Sequence, residues 1–271
     1  MHTTVLAPVG VQVNGLTLRD VDDVSADRLA ALLAEHGVVV LRGQDAADEQ
    51  FSTFLSRFGE LTFTVGETPV PGHPELNLIS NVGRTTPPRS VFHVDTSYVS
   101  APPAYTALRA VAVPERGGQT VFTNQYRAYD TLPAPVRNRL DGRSIRHVVT
   151  GVDPGTEQDH EAWHPVFRPH PVTGRIALYL STPQRCVAIS GLSDEEAGET
   201  ITALYAHSTA PDNLLRHGWA DGDVVMWDNA CVMHRADHTG VVGDRVMHRG
   251  MVGLHHVGQL DEAEPDAVAN P

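Results

Sequence analysis

Phe92-His93-Val94-Asp95-Thr96-Ser97 is the stretch on which the reading of this 271-residue chain turns. On an extended strand, residues two apart point to the same face. His93 and Asp95 then present an imidazole and a carboxylate side by side. That is two-thirds of a facial set of two histidines and one carboxylate, which leaves the other face of a metal open. The pair alone says little. With 15 His and 20 Asp in the chain, chance supplies about one His-x-Asp. A surface His beside a turn Asp is the blander account, so a third ligand must be found elsewhere.

Working outward, His234 has the best setting. It follows the apolar run Asp223-Val224-Val225-Met226-Trp227 and its continuation to Met233, and Arg245 and Arg249 lie 11 and 15 residues beyond it. If a strand begins at Arg245, then Arg245, Met247 and Arg249 share one face. Two guanidiniums on a core strand need anionic partners, because an unpaired buried charge is costly. The partners are either protein carboxylates in structural salt bridges or ligand carboxylates, which Arg grips with two parallel bonds. Residues four apart on a strand are separated by about 13 Å. One small carboxylate therefore cannot serve both arginines.

Further out, positions 25–36 read as a helix, with Ser25 as N-cap and Gly37 just past its end. Positions 38–42 form a short apolar strand, and 49–58 a second helix with Phe51, Phe54 and Leu55 on one face. Short strands follow at 76–80, 105–113, 120–123, 145–150 and 175–180, separated by Pro and Gly. Positions 193–207 are the best later helix, with Ser193 and Glu196 as a capping box. Strands return at 223–227, 231–234 and 245–256. This is a mainly β pattern with flanking helices, compatible with a sandwich or barrel. No repeat or linker divides the chain, so a single domain over 1–271 is expected, with 257–271 a frayed acidic tail.

The formal net charge is −13, and all 20 basic residues are Arg. Such a balance speaks against non-specific binding to nucleic acid or to an anionic membrane. Without Lys there is no Schiff-base chemistry. There is no Gly-x-Gly-x-x-Gly and no Gly-Lys-Ser/Thr to support a nucleotide site. Two cysteines make neither a disulfide framework nor a Cys-rich zinc site. No basic stretch followed by an apolar core opens the chain, and no apolar run approaches membrane-helix length. A cytoplasmic, reducing setting is expected, and a homo-oligomer is compatible with the sequence.

The ordered series now becomes specific. His93-x-Asp95, Gly117-Gly118-Gln119-Thr120, the element from His164-Pro165-Val166 through His170 to Thr173-Gly174-Arg175, Trp227-Asp228-Asn229 with His234, and Arg245 with Arg249 together resemble the TauD/TfdA family of Fe(II)- and 2-oxoglutarate-dependent dioxygenases. The resemblance runs from about position 25 to about 252. It implies a double-stranded β-helix (jelly roll) and oxidation of a small anionic organic substrate, most simply hydroxylation, with O2 consumed and 2-oxoglutarate converted to succinate and CO2. By the same resemblance His93, Asp95 and His234 match the iron ligands, and Thr120 and Arg245 match the residues that hold the distal carboxylate of 2-oxoglutarate. Arg249 matches a position that, in family members acting on sulfonates or carboxylates, contacts the acidic end of the primary substrate. Phe92 stands where the taurine enzymes carry Trp, which speaks against taurine itself. Related halogenases replace the carboxylate with Ala or Gly, so Asp95 favours hydroxylation, desaturation or another oxidative step over halogenation.

Asn81 and Tyr98 flank the ligand pair and are candidates for the substrate pocket, as is His238, four residues after His234; loop hydrogen bonding and a surface turn are the plainer readings. His164, His170 and Arg175 read as scaffold, His255 and His256 as exposed, and Trp227 and Cys231 as core. Gly117 and Gly118 are expected to make the turn that brings Thr120 inward, and Pro87, Pro88 and Arg89 a distinct approach to the pocket. Two other classes stay open at this stage: a non-catalytic jelly-roll binding protein, and a zinc hydrolase using the same two His and Asp.

Overall fold

The structure, a computed structural model, describes residues 1–84, 90–156 and 159–253. The expected tail at 257–271, the pair His255 and His256, and the approach formed by Pro87, Pro88 and Arg89 lie outside the described residues.

The strand Val224–Asp228 explains the architecture. Every residue in it is buried, yet the residues alternate in what they touch. Val224 and Met226 pack with Leu29, Leu33, Phe51 and Phe54 of the helices Asp23–His36 and Asp48–Ser56. Val225 and Trp227 pack on the opposite face with Val40, Phe122 and Met247. A strand covered on both faces needs no polar alternation and reads as an unbroken apolar run. It lies in the middle of a nine-stranded sheet, between Val38–Leu41 and Tyr105–Ala112. Tyr105–Ala112 pairs in turn with Val246–Gly253, which pairs with His73–Ser80. These central pairings are antiparallel.

A smaller antiparallel sheet, Leu214–His217, Thr120–Thr123 and His234–Ala236, covers the face opposite the helices. Phe122 meets Trp227 across the gap, with ring centroids 5.4 Å apart. A third sheet, Glu161–Pro165, Ser144–Val148 and Cys186–Ile189, carries the helix Asp194–Ser208 on its outside. Ala197, Ile201 and Leu204 of that helix pack among Ile145, Cys186 and Ile189. The result is a jelly roll, mainly β with outer helices.

Some local expectations need correcting. The first helix is capped by Asp22, whose carboxylate accepts from the Ser25 N–H at 2.8 Å. Ser25 is thus the residue whose orphan donor is satisfied, not the cap. Cys231 closes a turn, Val232 and Met233 are irregular, and strand pairing begins only at His234. Two short helices, Gln125–Asp130 and Ala134–Leu140, were not legible in the apolar pattern. The Ser193–Glu196 capping box is present.

Candidate functional site

His93 and Asp95 do not lie on a regular strand. His93 makes an isolated bridge to His234, each backbone N–H donating to the other's carbonyl at 3.0 Å. The chain then turns at Asp95 and Thr96, where φ is 42°. Bridge and turn bring together what a strand was expected to. His93 Nε2 lies 3.6 Å from Asp95 Oδ1, and His234 Nε2 lies 3.8 Å from Asp95 Oδ2. The ligand atoms of the three residues fall within 4.8 Å of one another, a spread that one ion about 2 Å from each can bridge. Nδ1 of His93 donates to the Val91 carbonyl at 2.9 Å, leaving Nε2 with its lone pair toward the site.

The carboxylate is held from both sides. Thr106 Oγ1 donates to Asp95 Oδ2 at 2.8 Å, and Asn229 Nδ2 donates to that hydroxyl at 2.9 Å. Arg249 Nη1 donates to Asp95 Oδ1 at 3.2 Å. Burial works against the charge on Asp95, but the permanently charged Arg249 guanidinium beside it holds its carboxyl well below the usual range. Burial pulls His234 down to about 3, so its imidazole stays neutral. An ionised carboxylate and a neutral imidazole are the forms a metal requires, and the Nε2 atoms of His93 and His234 both face the Asp95 carboxylate. The donor set therefore fits an Fe(II) ion.

Arg245 is 2% exposed and has no carboxylate partner among the described residues. Its Nε donates to the Gly118 carbonyl at 2.8 Å and an Nη to Thr120 Oγ1 at 3.3 Å. Trp219 Nε1 donates to the same hydroxyl at 3.1 Å. Burial pulls the guanidinium down to about 10. Gly118, at φ +71°, makes this approach feasible: a Cβ there meets Pro114 Cγ at 2.8 Å and Arg245 Cδ at 3.0 Å. Thr120 and Arg245 thus form a buried cationic cluster with no carboxylate among the described residues.

Arg249 is different. It ion-pairs with Glu67 as well as with Asp95. Burial alone lowers its pKa, but Asp95 and Glu67 raise it above the ordinary value. The argument that Arg249 needs a substrate anion therefore falls, because two protein carboxylates already serve it. Arg249 borders a cavity of about 260 Å3 beside His93 and Asp95, together with Glu67, Tyr98 and Arg185. Tyr98 is the one flanking candidate that reaches this cavity. Phe92 does not: its ring packs in the core with Val94, Val121 and Met233. Asn81 is a staple, accepting from the Arg245 N–H at 2.7 Å and donating to the Gly243 carbonyl at 3.1 Å. His238 is half-buried and away from the cavity, and burial, then Arg245, lowers its pKa. Sequence reasoning missed Glu67, Thr106, Arg185 and Trp219, which lie in loops and strands with no motif around them.

The scaffold residues brace this centre. His164 donates to the Ser97 carbonyl at 2.9 Å, and Arg175 donates to the Glu35 carbonyl at 3.1 Å. His170, Asp228 and Cys231 also cluster with ligand-like atoms, but their bonding is spent internally. His170 Nε2 donates to Asp228 at 2.9 Å while its Nδ1 accepts from the N–H groups of Val172 and Thr173. Burial pushes the Cys231 thiol far up.

A jelly roll that presents two histidines and a carboxylate beside a free buried arginine defines a metal-dependent oxygenase using an anionic cosubstrate. The profile of the "Taurine catabolism dioxygenase TauD, TfdA family" matches residues 2–251, and the chain belongs to this family. It is 29% identical to the alpha-ketoglutarate-dependent sulfate ester dioxygenase of Pseudomonas putida, over 93% of this chain and 90% of that one. It is 30% identical to the 2,4-dichlorophenoxyacetate dioxygenase of Cupriavidus pinatubonensis, over 80% and 85%. Among solved structures, a taurine dioxygenase from Burkholderia xenovorans aligns with a TM-score of 0.81 at 32% identity, covering 93% and 90%. AAD-2 in complex with Mn(II) and N-oxalylglycine aligns at 0.81 and 26%, covering 93% and 97%; that ligand carries an NH in place of one methylene of 2-oxoglutarate. The chain is a 2-oxoglutarate-dependent dioxygenase that uses Fe(II), 2-oxoglutarate and O2. The readings as a silent binding protein and as a zinc hydrolase are set aside. Among the described residues no helix is long and apolar enough to cross a membrane.

Proposed function

We propose that this dioxygenase hydroxylates a C–H bond of a small anionic organic molecule, with the balance R–H + O2 + 2-oxoglutarate giving R–OH + succinate + CO2. His93, Asp95 and His234 hold the iron, and Thr120 and Arg245 hold the distal carboxylate of 2-oxoglutarate. The observation that carries the reading is the buried Arg245 without a counter-charge. Such a guanidinium is costly in the empty protein, and a dicarboxylate removes that cost while accepting bonds from Thr120 and Arg245 together. The iron, when bound, supplies the activation of O2 coupled to decarboxylation. Everything else falls to the chain. Thr106 and Arg249 fix the orientation of the Asp95 carboxylate, and the Val91 carbonyl fixes the tautomer of His93. The cavity beside His93 and Asp95 receives the substrate. At about 260 Å3 it falls just below the usual span of ligand sites, which suits a compact acid.

The test is anaerobic addition of Fe(II) and 2-oxoglutarate. Chelation is expected to give a weak visible charge-transfer band, lost in His234→Ala, and a screen of small acids is expected to find one that stimulates succinate formation. Absence of the band from wild-type protein sinks the assignment of the site.

A further inference from the structure

Two guanidiniums border the cavity beside His93 and Asp95, those of Arg249 and Arg185. Arg249 is neutralised by Glu67 and Asp95. Arg185, 8% exposed, has no ion-pair partner among the described residues. It donates from Nη1 to the Val94 carbonyl at 2.8 Å, and its Nε has no acceptor. The guanidinium sits 5.4 Å from the centre of the Tyr98 ring, and the buried Tyr98 hydroxyl also lacks a partner. Burial lowers the Arg185 pKa, and the nearest carboxylate influence, that of Asp95, does not restore it. Arg185 and Tyr98 both line the cavity, and a guanidinium without a counter-charge there is costly in the empty protein and favourable once an anion arrives.

We propose that Arg185, assisted by the Tyr98 hydroxyl, anchors the acidic group of the primary substrate, and that Arg249 does not. The proposal deepens the function proposed above and rests on its reading of the cavity as the substrate chamber. The placement suits the chemistry. Arg185 ends the turn from Thr182, its N–H donating to the Thr182 carbonyl at 2.8 Å. Its side-chain acceptor belongs to Val94, the residue between the two iron ligands His93 and Asp95. The anion anchor is thereby tied to the ligand loop, so an acid held there keeps its adjacent carbons near the iron. The ligand class is a small monoanionic oxyacid. A carboxylate matches the planar fork of Arg, and a sulfate or sulfonate presents the same paired oxygens.

The experiment uses protein loaded with Mn(II) and N-oxalylglycine, which undergoes no turnover. Phenoxyacetate, 2,4-dichlorophenoxyacetate, hexyl sulfate and hexanesulfonate are titrated in by calorimetry beside uncharged phenoxyethanol and hexanol. Wild type is expected to bind at least one acid and to discriminate against the alcohols, and the preferred acid separates carboxylate from sulfur oxyacid. Arg185→Gln is expected to weaken that acid about 10- to 100-fold, as loss of a charge-assisted bond implies, with N-oxalylglycine uptake unchanged. Tyr98→Phe should weaken it several-fold. Arg185→Lys keeps the charge but not the fork and should fall between, and it is read instead if the glutamine variant does not fold. Unchanged acid affinity in the Arg185 variants overturns the proposal, as does wild-type protein that binds no acid or binds the alcohols equally well. Failure of wild type to take up N-oxalylglycine overturns the parent reading of the site, and is recorded before any acid is added.

Discussion

Arg245, one residue before the strand Val246–Gly253, and Arg249 within it lie four positions apart, both buried, yet the first has no carboxylate partner among the described residues and the second has two. Arg245→Gln leaves the proposed iron ligands His93, Asp95 and His234 in place and removes the unpaired charge. The affinity for 2-oxoglutarate is expected to drop roughly 10- to 150-fold, from the ~1.5–3 kcal/mol of a charge-assisted bond, while Fe(II) affinity holds. Anaerobic titration of each ligand checks this, and an unchanged 2-oxoglutarate constant rules the assignment out. The sequence made both arginines visible, because parity on a strand is local. Which one is free was not legible, since the answer lies in Glu67, nearly two hundred residues away in the chain. Arg185 was invisible for the same reason: its meaning comes from what it lacks in space, and no spacing rule encodes an absent partner.

At the scale of elements, Gly250 shows how the strand Val246–Gly253 seats the helix Asp48–Ser56. A Cβ at Gly250 falls 2.1 Å from Leu55 Cδ1 and 3.2 Å from Leu76 Cδ2. Gly250→Ala is therefore an overpacking substitution expected to cost about 1–3 kcal/mol. Residue 250 points away from the face of Arg245 and Arg249, so N-oxalylglycine affinity should persist in the folded protein. A denaturant midpoint lowered at constant slope is the expected signature; an unshifted midpoint contradicts it. Helices with capping signals were readable to within two or three residues. The pairing of His93 with His234 was not, because an isolated bridge followed by a left-handed Thr96 has no periodicity to read. The motif Trp227-Asp228-Asn229 gains its physical sense only from the assembled sheets, where Asn229 orients Thr106 and Thr106 orients Asp95.

Across the whole molecule, buried neutral histidines set the response to acid. His147 is fully buried, with Nδ1 2.9 Å from Ser97 Oγ and its ring stacked on Tyr179. Burial pulls it from 6.5 to about 3, with the charges of His164 and Arg185 adding to the effect. Between those values the unfolded chain holds a proton that the native state does not. Falling pH therefore favours unfolding, and the stability present above 6.5 is progressively lost toward 3. One such group contributes up to ~1.4 kcal/mol per pH unit. His147→Gln should lower stability at neutral pH through lost packing, yet flatten its decline between pH about 6 and 4. Urea unfolding across that range reads the slope, and an unaltered slope refutes the role given to His147.

Trp219 adds one consequence. Its indole donates to Thr120 at 3.1 Å, and its ring centre lies 6.0 Å from the Arg245 guanidinium. The chain has three tryptophans; Trp163 is exposed and Trp227 lies in the core between the sheets. Trp227 itself packs on His234, ring centroids 4.4 Å apart, so two buried indoles flank the proposed site. Indole emission responds to the charges around it, and a carboxylate arriving at Arg245 is expected to change the Trp219 emission, with Trp219→Phe separating that signal from Trp227. Such a signal would report cosubstrate occupancy without turnover, without oxygen and without an added dye.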